Sequence, residues 1–251
     1  NPKVWIWGGD NIYADTDDME KLNAEYHIIL QDEGYKALKN STKILGTWDD
    51  HDYGINDGGE HFTAKKESQQ VFLDFFDVPK NDDRRKQEGV YYAETIKAEN
   101  GSIKIIILDT RYFRSDLTIS EDNTKRFQPN KYGEGTILGP EQWQWLEQEL
   151  MTSQADFNII MSSIQFLSNQ HGFETWGNFP HEVDRLKQLI LNSKAKRVII
   201  LSGDRHLSEF SKDTISGLAY PLIDFTSSGL THVYSNFTSE PNPYRFGKVV
   251  P

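Results

Sequence analysis

The sequence contains no cysteine. That excludes disulfides, a thiolate nucleophile and any zinc site built on Cys; it says little about compartment. There is no apolar run long enough to span a bilayer, and no secretory leader is read at the start. Basic charge is in deficit, with 38 acidic against 27 basic side chains and a formal net charge of -11. A surface of that sign suits neither nucleic acid nor an anionic membrane. It is compatible with cation binding, although a solvated acidic surface is the commoner cause. What the chain does have is aromatics, 12% of its residues, which exclude a disordered polymer. Its 251 residues suffice for one domain with a substantial core, and no repeat or linker divides them.

The stretch Val4-Trp5-Ile6-Trp7-Gly8-Gly9-Asp10 reads as a short buried strand ended by two glycines. The segment from Thr16 to Asn40 reads as helical, with Asp17 and Asp18 as start signals and Met19, Leu22, Tyr26, Ile29 and Leu30 facing a core. Further strands are expected over Lys43–Trp48, Gly89–Ile96, Ile103–Leu108, Asn158–Met161, Arg197–Leu201 and Leu222–Thr226. Asn100-Gly101 marks a hairpin between the third and fourth strands. Helices are expected from about Phe62 to Phe76, from Pro140, and from about Val183 to Asn192. Beyond Thr226 the tail reads as irregular. Apolar strands separated by helices imply an α/β fold, a layered sheet with helices on its faces.

The strands end abruptly in chemistry-bearing residues. Asp10 and Tyr13 follow the first, Asp49-Asp50-His51 the second, Asp109-Thr110-Arg111 the fourth, and Asp204-Arg205-His206 another. Ligands in open α/β folds come from the carboxyl ends of strands. Carboxylates gathered there repel one another and need a cation to stay ionised together. Singly, each Asp could be a helix cap and each His a hydrogen-bonded loop residue; jointly, the three ends bearing Asp10 with Tyr13, Asp49-Asp50-His51, and Asp204 with His206 point to metal. His171, His181 and His232 lie in loops near the expected rim, where packing explains the first two.

Together, Gly9-Asp10-Asn11-Ile12-Tyr13-Ala14-Asp15, Thr47-Trp48-Asp49-Asp50-His51-Asp52, Leu108-Asp109-Thr110-Arg111 and Ser202-Gly203-Asp204-Arg205-His206 resemble the PhoD-like alkaline phosphatases, within the calcineurin-like metallophosphoesterases. The resemblance extends to Leu138-Gly139-Pro140-Glu141-Gln142-Trp143 and Thr226-Ser227-Ser228-Gly229-Leu230. It implies a layered sandwich of mixed β-sheets flanked by α-helices, and a centre of two metal ions, Fe3+ and Ca2+, with Mn2+, Mg2+ or Zn2+ as alternatives. It implies Asp10 as the bridging carboxylate, Tyr13 and His206 as ligands to a ferric ion, and Asp50 and Asp204 as ligands to the second ion. The wider superfamily often has Asn and His at those last two places; two carboxylates favour a harder ion such as Ca2+.

The implied reaction is attack of a metal-held hydroxide on a phosphomonoester or phosphodiester. His51 is then the candidate acid for the departing alkoxide, and Arg111 and Arg205 are candidate grips for phosphate oxygens. A small phosphate ester is the implied partner, with no nucleic-acid surface, and the implied location is periplasmic or extracellular. The family also has an earlier strand whose end supplies another iron ligand, commonly Cys. The sequence begins after that point, so one N-terminally incomplete domain over residues 1–251 is expected, short of a strand and a ligand.

Two readings compete with this one. The first is a non-catalytic, metal-stabilised binding module or pseudoenzyme of the same fold. The second is a serine hydrolase, which has no support beyond Ser162-Ser163, since the chain has no G-x-S-x-G elbow. The acidic loop from Asp52 to Gly59 lacks EF-hand spacing.

Overall fold

Alternation in the first strand sets the layering. The computed structural model describes residues 2–251. In β1 (Val4–Gly8), Val4 and Ile6 turn to one side while Trp5 and Trp7 turn to the other. Asp18 caps α1 (Met19–Gln31), its carboxylate accepting from the Glu20 and Lys21 amides. The segment expected to be one helix is two. Asp32 leaves the helical conformation and its side chain caps α2 (Glu33–Ser41), so the same residue ends one helix and starts the next. β2 (Lys43–Thr47) then pairs with β1 in parallel, as the helical crossover requires. Among the described residues these two strands form a sheet of their own.

The short α3 (Asp50–Tyr53) and α4 (Lys65–Phe75) follow. The expected hairpin forms as β3 (Tyr92–Ala98) and β4 (Gly101–Ile107), turning at Glu99-Asn100, one residue before the expected Asn100-Gly101. The long polar loop that follows holds only a small ladder, β5 (Thr118–Ile119) against β6 (Phe127–Gln128). α5 (Gly139–Met151), with Pro140 in its first turn, leads to β7 (Phe157–Met161). α6 (Pro180–Asn192) leads to β8 (Val198–Ser202). β9 (Ser208–Asp213), β10 (Leu222–Ser227) and β11 (Arg245–Val250) complete the chain, so the tail read as irregular contains an edge strand.

The larger sheet has seven strands in the order β11-β9-β10-β8-β7-β4-β3. Its four central strands, β10, β8, β7 and β4, are parallel, and the flanking pairs are antiparallel. One face buries Ile106, Ile160, Val198 and Ile200 against Trp143, Leu146 and Leu150 of α5 and Leu186 and Ile190 of α6. Truncating one such buried Leu to Ala costs about 2–5 kcal/mol. The other face buries Ile105, Ile107 and Met161 against Leu45, Val4 and Ile6 of the small sheet. The small sheet's outer side packs Trp7 against Leu22, Tyr26, Phe72 and Phe75 of α1 and α4. The architecture is therefore helix, sheet, sheet, helix. All the parallel strands release their chains at one edge.

Candidate metal centre

The ends of β1, β2 and β8 are brought close by residues with no side chain to obstruct them. Gly9 has φ +99°, and a Cβ there would lie 2.5 Å from Asp49 Cβ. A Cβ on Gly203 would lie 2.7 Å from Gly8 O and 2.9 Å from Ser163 O. Asp10, Asp204 and His206 follow these crossings with φ of 50°, 65° and 55°. Non-glycine residues held at positive φ cost about 1–3 kcal/mol each and concentrate at functional sites.

The fold brings together the five residues expected to hold metal and adds Asp49 to them. Ligand atoms of Asp10, Asp50 and His51 lie within 4.8 Å of one another, and so do those of Asp10, Asp49 and Asp204. Tyr13 Oη lies 3.2 Å from Asp10 Oδ2 and 2.7 Å from His206 Nε2. His206 Nε2 lies 3.7 Å from Asp10 Oδ2. Asp10, Tyr13, Asp50, Asp204 and His206 thus form one constellation, with His51 beside it. A third acidic group joins Asp50 to Asp57 and Glu174. Sequence reasoning did not single out Asp57 or Glu174. Asp57 stood in a loop tested only against EF-hand spacing, and Glu174 is a lone acid in an aromatic loop.

The donor set fits hard cations. Asp10 Oδ1, Asp49 Oδ2 and Asp204 Oδ2 are buried with no hydrogen-bond partner, a costly state for three neighbouring carboxylates. Burial pushes the Asp10, Asp49 and Asp204 carboxyls up, and the mutual repulsion of these acids and Asp50 adds to it. Burial also works against charge on Asp50, but Arg111, His51 and the amides of Asp57 and His51 outweigh it and hold this carboxyl below the usual range. Burial, then the Asp10 carboxylate, pushes the Tyr13 phenol up. A cation at this point reverses that logic, because it favours the ionised form of every ligand. Oxygen donors with one imidazole suit Ca2+ or a ferric ion.

His51 Nδ1 lies 2.8 and 2.9 Å from the two Asp15 carboxylate oxygens, and its ring packs on Tyr13 with centroids 4.4 Å apart. Burial disfavours its charge, but Asp50, Asp10 and Asp15 outweigh burial and raise its pKa. Arg205 lines a cavity of about 310 Å³ together with Asp50, His51, Asp204 and His206. Arg111 is placed elsewhere. It is fully buried, with its guanidinium engaged by Asp49 and Glu174. It therefore serves as counter-charge beneath the carboxylates and presents no surface to a phosphate. His171 packs in its loop, accepting from the Phe173 amide, whereas His181, expected in a loop, stands in the first turn of α6 and meets Gly135 O. His232 lies over Tyr13 with ring centroids 3.8 Å apart.

The model of the PhoD-like phosphatases matches residues 1–231. The chain belongs to that family. Alkaline phosphatase D of Bacillus subtilis (strain 168) is 24% identical over 215 residues, which cover 76% of this chain and 35% of that protein. A solved structure of PhoD superposes with a TM-score of 0.72 at 20% identity, over 90% of this chain and 51% of the other, and shows the same fold. The chain thus spans about a third of that relative and about half of that solved chain. No helix among the described residues is long and apolar enough to cross a membrane.

Proposed function

We propose that the protein is a metal-dependent phosphohydrolase, cleaving phosphomonoesters, phosphodiesters or both. What carries the reading is one observation: three buried, unpartnered carboxylate oxygens converge beside a phenol and an imidazole that touch each other. Family membership supports it. Asp10, Tyr13, Asp50, Asp204 and His206 would hold two ions, with Fe3+ and Ca2+ favoured by donor hardness. Such ions activate water and neutralise charge on phosphoryl oxygens. The chain's own groups do the rest. His51, whose charge is favoured by Asp50, Asp10 and Asp15, protonates the departing oxygen from the cavity wall. Arg205 Nε is a buried donor without a partner in that same wall, and it grips a phosphoryl oxygen. Arg111 keeps Asp49 and Glu174 in place from beneath.

The test is release of p-nitrophenol from mono- and bis-p-nitrophenyl phosphate by metal-reconstituted protein, beside a chelated control. Release that needs metal and falls in His51→Ala is expected. Full metal binding with no release from either ester would leave a pseudoenzyme in its place.

A further inference from the structure

The reaction as derived uses Asp50, His51, Asp204, Arg205 and His206 of this cavity and leaves the wall formed by Phe173 and Tyr234 unexplained. That wall carries two aromatic rings on one guanidinium. Arg205 Cζ lies 4.2 Å from the Phe173 ring centroid and 5.9 Å from that of Tyr234. Phe173 remains 38% exposed, although both rings line the cavity that reaches Asp50 and Asp204. An exposed aromatic ring beside a charged centre is poorly placed for packing and well placed for contact with a ligand. The guanidinium is held from behind by Glu240, whose Oε1 accepts from Nη2 at 2.6 Å, so the ring pair sits on a fixed support. Arg126, also in the lining, is paired with Asp57. With Arg126 paired and Arg205 shared between Glu240 and the phosphoryl group, no arginine of the lining is left for a second anionic group. The volume of about 310 Å³ exceeds what one phosphoryl group needs.

We infer that Phe173 and Tyr234, backed by Arg205, form a subsite for the alcohol part of the ester, and that they select a flat aromatic ring there. The inference rests on the phosphohydrolase reading and names its substrate class: phosphate esters of aromatic alcohols. A ring seated against these groups gains stacking with the aromatic faces and cation–π attraction from Arg205. A saturated ring of the same size gains neither.

Benzyl phosphate and cyclohexylmethyl phosphate test this, since their leaving alcohols differ little in acidity and much in flatness. With metal-loaded protein, kcat/KM should favour benzyl phosphate by about tenfold, the size of one stacking contact. Phe173→Leu should collapse that ratio, whatever loss both esters share, and Phe173→Trp should keep it. Tyr234→Leu gives the same readout should Phe173→Leu fail to fold. Calorimetric binding of benzylphosphonate and cyclohexylmethylphosphonate supplies an arm that needs no turnover. A ratio unmoved by Phe173→Leu and Tyr234→Leu, or equal phosphonate affinities, would overturn the subsite. No turnover of either ester with the phosphonate preference intact would remove the phosphohydrolase reading and leave the subsite standing.

Discussion

Tyr13 Oη and His206 Nε2 lie 2.7 Å apart although 193 positions separate them in the chain. The contact joins the end of β1 to the end of β8, two strands of different sheets. It fixes both side chains before any ion arrives, which lowers the ordering cost of binding one. If these two groups bind a ferric ion, the ligated phenolate gives a visible absorption band. Reconstitution with ferric ion should therefore colour the wild-type protein and leave Tyr13→Phe colourless, with bound iron counted by elemental analysis. Equal colour in both would remove Tyr13 from the centre.

Arg111 makes a second long-range link, to Asp49 across 62 positions and to Glu174 across 63. All three are buried. Removing one partner of such a group strands the others, at a cost of about 3–5 kcal/mol. Arg111→Met should lower stability to urea by that amount. Arg111→Lys should recover only part, since a single ammonium cannot serve two carboxylates as the guanidinium fork does. The KM for p-nitrophenyl phosphate should change little in the folded fraction. A large rise in KM at unchanged stability would instead put Arg111 on the phosphate.

His171 sets an acid limit. Burial, then Arg205, depresses its pKa to about 3. Its Nδ1 accepts from the Phe173 amide and its Nε2 has no partner. The unfolded chain therefore binds a proton that the folded chain refuses. Stability is lost as pH falls from about 6.5 towards 3, at up to about 1.4 kcal/mol per unit from this group. His171→Asn keeps an acceptor for the amide and does not titrate. It should flatten the urea midpoint between those limits, and an unchanged slope would assign the acid sensitivity to other groups.

Much of this was legible in the sequence, and the exceptions have physical causes. Strands β1, β2 and β8 are short, largely apolar runs, and the candidate ligands stand soon after them, so motif and element could be read together. β9 was missed because its pattern is inverted: Glu209 and Ser211 are buried while Phe210 is 42% exposed. Glu209 is matched by Arg245, Gln165 and Asn242, partners that only the fold supplies. β11 is an edge strand with a register shift between Phe246 and Val250, and it carries a glycine at φ +81°, so alternation fails there too. The break at Asp32 hid inside a helical period because one residue does both jobs, its backbone N–H closing α1 on Ile29 O and its carboxylate opening α2 at the Tyr35 amide. Glu174 carried no signal, since its role is set by Arg111 and Arg114 from a distant loop.

Asp204 offers a test in which the sign of the effect reverses. Its carboxyl is buried, Oδ2 has no partner, and Asp50 and Asp10 repel its charge, so its folded pKa is raised above the ordinary carboxylate value. A raised carboxylate pKa opposes folding at neutral pH, and the penalty fades as pH falls below the folded value and the group protonates. Asp204→Asn removes the charge while keeping the shape. Asn also tolerates the φ of 65° that position 204 adopts. In chelator at pH 8 the variant should therefore be more stable than wild type, by about 1–3 kcal/mol, the usual cost of an unmet buried polar group. With saturating metal the order should invert, because an ion that binds only the folded state stabilises wild type by mass action and the variant has lost a ligand. Urea melts of both proteins with and without metal decide it. A variant that is weaker under both conditions would mean that Asp204 is a structural hydrogen-bonding residue and carries no ion.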